Sequence, residues 1–409
     1  MSEKQTVDQD GAGASPAASD PRQQRGILPA SPSAAWAILA VLACMAALSL
    51  LVAVREALVT GIDFQWSGAH LIGEHLDPWK IMLEGDPAHL IRPGQTPNYL
   101  HELYIFLLPT GYLSLPHALA VWCAANLIML AATLWLVIRM FALDRMHAIL
   151  LTLLVLSSTP FRMTLSNGQH GIFCLLMMTL VFYLHSEPGR GLFLGISYSK
   201  YSFSPLLVFF LLLKRRFTLL LASAIAPAIG LFLVWLFLRN RLGVLALEPF
   251  KLSRYGVGFG YGDVMTAIEM ILHSHGYSLQ RCNQISTVVG MSAAMISAFA
   301  IARAKGIAER AQFAMILLLT LFCFKHLLYD YVVLLVPAAL LMRAAKSMAR
   351  TLALLGILYF WFFTTILNRL EKDIHPLTIL CNGIILIATT VLVAKASAGM
   401  VFPADRAQG

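Results

Sequence analysis

The sequence is poor in charge. Asp, Glu, Lys and Arg make up 12% of its 409 residues, roughly half the share of a soluble domain. That shortage argues against a water-soluble globule. Cysteine is scarce too, with six residues and no CxxC pair. Only Cys282 falls outside an apolar run, so neither a disulfide framework nor a cysteine metal site is indicated. No block of basic residues occurs. The net charge of +9 is scattered in short groups between apolar stretches, which speaks against nucleic acid and suits anionic lipid. The apolar stretches do not alternate with polar residues, as a membrane β-barrel would require. The two halves of the chain show no repeat of one another.

What the chain does have is 58% hydrophobic residues, gathered in runs of membrane-spanning length from residue 34 to residue 394. The backbone in a bilayer must satisfy its own hydrogen bonds, so such runs form helices. The fold class is therefore an all-α polytopic membrane protein. Spans are expected at 34–58, 117–139, 146–161, 170–186, 217–238, 284–302, 311–326, 328–342, 351–367 and 377–394. Residues 191–213 form a broken segment interrupted by Gly195, Lys200 and Pro205. The total is about 10 crossings, or about 12 if that segment crosses twice. Residues 1–33, rich in Ala, Ser, Pro, Gln and Gly, read as a disordered cytoplasmic tail. Residues 34–398 read as a single transmembrane domain and 399–409 as a short cytoplasmic tail.

Lys and Arg favour the cytoplasmic side. Placing Arg139/Arg145, Arg190, Lys214–Arg216, Arg303/Lys305/Arg310 and Arg343/Lys346/Arg350 inside puts the long polar loops, 59–116 and 239–283, outside. The first of these loops contains two candidate juxtamembrane helices, near 64–76 and 99–113, joined by a Pro/Gly-rich link.

An acid, Asp63, opens that loop in "VTGIDFQWSGAHLIGEHLDPW". Two readings stand side by side. Asp63 could cap a helix beginning at Phe64, or it could act as a base at the water–lipid boundary. Glu74 and Asp77 read as loop-solvating acids. Lys200 in mid-segment needs a cavity or a partner. It reads either as a phosphate contact or as a snorkelling lysine.

Taken in order, these segments resemble glycosyltransferase family 87, of the GT-C class of integral membrane glycosyltransferases. Asp63-Phe64 and Asp77-Pro78-Trp79 match its opening pattern. "PNYLHELYIFLLP" stands where the family has Tyr-Pro-Pro, with Tyr99 kept and the prolines absent. "LSNGQHGIFCLLMM", "GLFLGISYSKYSFSPLLVFFLLLKRR" and "FKHLLYDYVVLLVPAAL" resemble its later segments. The likeness spans about residues 55–345, and it rests on the order of motifs that are each weak alone.

The resemblance implies an inverting enzyme that moves a hexose, mannose in the family's type, from a polyprenyl-phosphate donor to a glycolipid or glycan acceptor. The site would face outward from a bacterial inner membrane. Asp63 is then the expected general base. Lys200, His326, Arg239 and Arg254 are the expected contacts to the donor phosphate. Gln169, His170, Tyr99, His101 and Glu102 are the expected substrate contacts. No cofactor is expected, and no obligatory metal, since Asp63 has no DxD partner. The alternatives are a transporter or lipid-carrier translocase, and a non-catalytic relative that only binds lipid.

Overall fold

The computed structural model describes residues 32–252, 260–364 and 376–402. Most of both expected tails lies outside these residues, as does Arg254. The described chain is helical and contains no strand, and it is a polytopic all-α membrane protein. Five of its helices are individually long and apolar enough to span a bilayer, and a bent pair makes a sixth. The expected spans beyond these six correspond to shorter or interrupted helices.

Helix α1 (Pro32–Val59) leads into the first large loop, which contains α2 (Trp66–Gly73), α3 (Pro78–Leu83) and α4 (His101–Gly111). Three short helices thus stand where two were expected. Asp77 starts α3, its carboxylate accepting from the Lys80 N–H at 3.0 Å. Helix α5 (Leu115–Phe141) crosses back and ends on Ala142 in the left-handed region. Helices α6 (Arg145–Ser157) and α7 (Thr159–Ser166) are the bent pair, turned by 58°. The cause is local: Pro160 stands in the first turn of α7 and the Ser158 hydroxyl accepts from the Phe161 N–H at 3.3 Å, so a new cap interrupts the ladder.

Helix α8 (Gly171–Tyr183) is followed by α9 (Glu187–Ser197), a 3-10 turn at Tyr198–Phe203, and α10 (Pro205–Leu213). The break expected within 191–213 is therefore present, and Lys200 is the residue with non-helical backbone inside it. Next come α11 (Phe217–Ser223), α12 (Ile225–Leu238), α13 (Leu242–Leu252), α14 (Val264–Ser274), α15 (Leu279–Arg303) and α16 (Glu309–Cys323). A 3-10 turn at Leu328–Leu334 opens α17 (Leu335–Arg343). Helix α18 (Met348–Leu358) runs into a π turn at Tyr359–Phe363, and α19 (Pro376–Ser397) is the last helix described.

Helices α8 and α16 and the segment 328–342 are buried on nearly every side. Helices α1, α12, α15 and α19 instead show bare aliphatic side chains such as Leu51 and Ile296, as lipid-facing helices do. Helix association in lipid depends on close packing more than on water exclusion. The pair Gly191 and Gly195 on α9 illustrates it. A Cβ there would lie 2.4 Å from the Leu219 carbonyl oxygen and 2.2 Å from that of Ser223, so only glycine lets α9 and α11 approach this closely.

Contacts define two ends of the bundle. At one end, Arg190 pairs with Glu309 at 2.7 Å, Arg216 with Glu187 at 3.1 Å, and Arg310 donates to the Met140 carbonyl at 2.7 Å. Four of the interhelical turns expected on the cytoplasmic side thus meet there. The other end gathers the start of the first loop and the turns before α8, within α9–α10 and before α17.

Candidate functional site

The chain leaves α1 through Gly61, whose φ of +43 and 2.2 Å hypothetical Cβ contact with Leu119 restrict the position to glycine. That turn delivers Asp63 against the α7–α8 loop, where its N–H donates to the Asn167 carbonyl at 2.8 Å. Phe64 stacks on Trp122 with centroids 5.5 Å apart. Trp122 in turn donates to the Gly168 carbonyl at 2.8 Å. The Asp-Phe pair is therefore clamped on both sides of the carboxylate.

Asp63 does not cap a helix. Helix α2 begins at Trp66, with Gln65 at its N-cap and no side-chain capping bond. The Asp63 carboxylate instead lies beside the Gln169 side chain. The Gln169 carbonyl oxygen accepts from the Tyr99 hydroxyl at 3.1 Å. With its oxygen turned to Tyr99, the amide keeps its NH2 as the group available to Asp63. Burial raises the Asp63 pKa above its ordinary value, while the Gln169 bond and the nearby Lys200 charge pull the other way and Asp330 adds to the rise.

Lys200 is 9% exposed and forms an ion pair with Asp330. Its ammonium also lies 4.8 Å from the Tyr329 ring centroid and 5.4 Å from that of Phe203. The second Asp330 oxygen meets His326 Nδ1 at 3.1 Å. The site is tied together through the backbone as well. The Leu100 N–H donates to the Ser199 carbonyl at 3.2 Å, and the Thr164 hydroxyl to the Tyr329 carbonyl at 2.8 Å. His170 is completely buried between Tyr99 and Trp122, each ring about 5.0 Å away, and neither of its nitrogens has a partner. His326 likewise keeps an unpartnered Nε2.

The structure thus gathers Asp63, Tyr99, Gln169, His170, Lys200 and His326 in one constellation. His101 and Glu102 join a different group. His101 packs on Trp79 at 4.8 Å. Glu102 lies against α12, where a Cβ on Gly230 would fall 2.6 Å from its backbone nitrogen. Arg239 ends α12 in the left-handed region, and its Nε donates to the Leu236 carbonyl at 3.1 Å. Among the described residues it has no bond to the Lys200 group. Lys325 pairs with Glu269 at 2.5 Å. Among the described residues no group of three or more His, Cys, Asp and Glu side chains is arranged to hold a metal ion.

Asp330 is the residue that motif reading passed over, although it stands inside the quoted "FKHLLYDYVV". An acid inside an apolar run is a functional or pairing signal by itself. Lys200, the expected mid-segment cation, required such a partner.

A family model described as glycosyltransferase family 87 matches residues 103–365, more than half of the chain. Gln169, His170, Lys200, His326 and Asp330 lie within that match, while Asp63 and Tyr99 precede it. No curated protein and no solved structure matches the chain. The family is that of membrane glycosyltransferases, so the transporter alternative gives way. The chain belongs to glycosyltransferase family 87 and is a multi-pass membrane glycosyltransferase.

Proposed function

We propose that this enzyme transfers a hexose, mannose by the family resemblance, from a polyprenyl phosphate to an acceptor hydroxyl with inversion at the anomeric carbon. Asp63 is the general base. The observation that carries this reading is the placement of Asp63: a carboxylate that caps no helix, beside the Gln169 amide and near the Lys200 cation. Raised basicity suits the role, since a base works best with a pKa drawn toward the operating pH.

The acceptor O–H gives its proton to the Asp63 carboxylate as its oxygen attacks the anomeric carbon. The bond from that carbon to the phosphate oxygen breaks on the opposite face, and polyprenyl phosphate departs as an anion. A lipid phosphate needs little protonation to leave. What it needs is stabilisation of its charge. Lys200 has three N–H donors; Asp330 occupies one and holds the ammonium in place, leaving others for phosphate oxygen. The unpartnered ring nitrogens of His170 and His326 are sealed within the fold and reach a donor only when the Tyr99 and Phe203 rings packed on them shift.

The donor's tail stays in the bilayer while its head reaches water, so chemistry has to occur at a membrane surface. The site lies at the end of the bundle opposite the Arg190, Arg216 and Arg310 contacts. By the preference of basic residues for the cytoplasm, it opens outward, in a bacterial plasma membrane toward the periplasm. Cysteines replacing exposed Glu84 and exposed Lys214, in a background without the native cysteines, test the orientation. An impermeant reagent added to intact cells is expected to label the first alone; equal labelling would contradict the outward site.

The reaction itself is tested by incubating purified protein with polyprenyl-phosphate mannose, polyprenyl-phosphate glucose and nucleotide sugars. Transfer from a polyprenyl phosphate, with inverted anomeric configuration by NMR, is the expected result. Transfer from nucleotide sugars alone would overturn the donor assignment.

A further inference from the structure

Arg350 presents an anomaly at the other end of the molecule. It is 4% exposed, and its Nε and Nη2 are sealed from solvent with no hydrogen-bond partner. No carboxylate pairs with it among the described residues. A guanidinium removed from water without a counter-charge is strongly unfavourable. Its setting deepens the problem. Arg350 lies in the first turn of α18, where Ser347 caps the helix and accepts the Arg350 N–H at 3.1 Å. A helix N-terminus carries partial positive charge, so the cation sits where it is least welcome. Arg343 ends the preceding helix and exposed Lys346 lies between.

Among the described residues no acid pairs with Arg350. Residues 331–364 contain no Asp or Glu, and neither do α5, α6 or α19, which pack on α17 or α18. At this end Asp144 is taken by His147 at 2.7 Å, and Glu309 by Arg190. Among the described residues nothing supplies the missing negative charge.

We propose that Arg350, with Ser347, Lys346 and Arg343 around it, forms a binding site for a phosphate oxyanion, filled by the headgroup of an anionic phospholipid. Guanidinium recognises phosphate oxygens through a planar fork of donors, and the free N–H groups of a helix start add to it. Basic pockets between membrane helices take lipid headgroups in the same way. This site is separate from the reaction. Trp361, further along the same α18 and π-turn segment, donates to the Tyr331 carbonyl at 3.2 Å beside Asp330. Eleven residues of helix separate it from Arg350, about 16 Å at the helical rise, so the anion binds in the leaflet opposite the catalytic end. A lipid there would anchor the α17–α18 turn.

The test uses purified full-length protein in a neutral detergent, with phosphatidylglycerol, phosphatidylcholine or inorganic phosphate added. Thermal unfolding and lipid retention in native mass spectrometry are read for the wild type and for Arg350→Gln. Phosphatidylglycerol is expected to stabilise the wild type and phosphatidylcholine is not. Arg350→Gln should bind phosphatidylglycerol at least about fivefold more weakly, which corresponds to ~1 kcal/mol per basic residue at a charged membrane surface. Without lipid it should be no less stable than the wild type, because an unpaired charge has gone. Equal phosphatidylglycerol affinity in the two proteins would overturn the proposal. Stabilisation by inorganic phosphate equal to that by phosphatidylglycerol would overturn the lipid as its source. Should Arg350→Gln fail to insert, the wild type decides alone: equal retention of the two lipids overturns the site.

Discussion

Two groups of buried acids lie in and beside the first loop, and they differ in one respect. Asp63 and Asp330 share the neighbourhood of Lys200. Glu102 and Glu248 have no cation bonded to them among the described residues, and burial drives their pKa values up to about 8 and about 7. Both Glu102 oxygens are buried without a partner. Burial alone thus favours a protonated carboxyl. Beside Asp63 an amide and a cation pull back toward the carboxylate, against the burial that raises its pKa. The difference separates the site from the scaffold more clearly than exposure or motif does.

Breaking the cation's pairing should have the largest effect. Lys200→Met leaves Asp330 buried without its counter-charge, and loss of one partner of a buried ion pair costs about 3–5 kcal/mol. A fall in melting temperature is therefore expected together with a raised apparent donor KM. The double variant Lys200→Met/Asp330→Asn separates the two effects. Its melting temperature should recover while its donor KM stays high. Recovery of both would return Lys200 to a purely structural role.

A more graded change is Gln169→Met, which removes the amide beside Asp63, a donor to it in the proposed mechanism. A hydrogen bond to a charged group contributes about 1.5–3 kcal/mol, so turnover should fall roughly tenfold or more while donor KM changes little. The same bond lowers the Asp63 pKa, so its loss should move the acid limb of the kcat/KM profile to higher pH. An unmoved limb would detach Gln169 from the base.

The smallest effect on activity is expected at Glu102. Its folded pKa, about 8, lies above the ordinary 4.5, so the folded protein holds the proton more tightly than the unfolded chain. This contribution to stability is complete below about pH 4.5 and is lost as pH rises through about 8. Glu102→Gln should remove that decline from the melting-temperature profile and leave turnover close to wild type. A large loss of turnover would place Glu102 in the catalytic group and erase the contrast between the two sets of acids.

Much of the fold was legible because lipid imposes long apolar runs, and every span expected from them corresponds to a helix or a broken helix. The break at Lys200 could be read from Gly195, the lysine and Pro205. The bend at Ser158–Pro160 was missed: an apolar run continues through it, and the cap that makes it depends on one hydroxyl. Asp63, Tyr99, Gln169, His170, Lys200 and His326, which the structure brings together, were singled out through motif order. Asp330 was missed because only the folded chain shows which acid answers Lys200. His101 and Glu102 come two and three residues after Tyr99, but the helix α4 begins at His101 after Leu100 in extended backbone, and they point into another group.

The central claim is that Asp63 is the base, and Asp63→Asn tests it most directly. Asn keeps the size and polarity of the side chain but cannot take the acceptor's proton. With the protein inserted and thermally stable, turnover of a polyprenyl-phosphate hexose is expected to fall by about 10²–10⁴-fold, with donor binding retained through Lys200 and its neighbours. Turnover close to wild type in that protein would contradict the account.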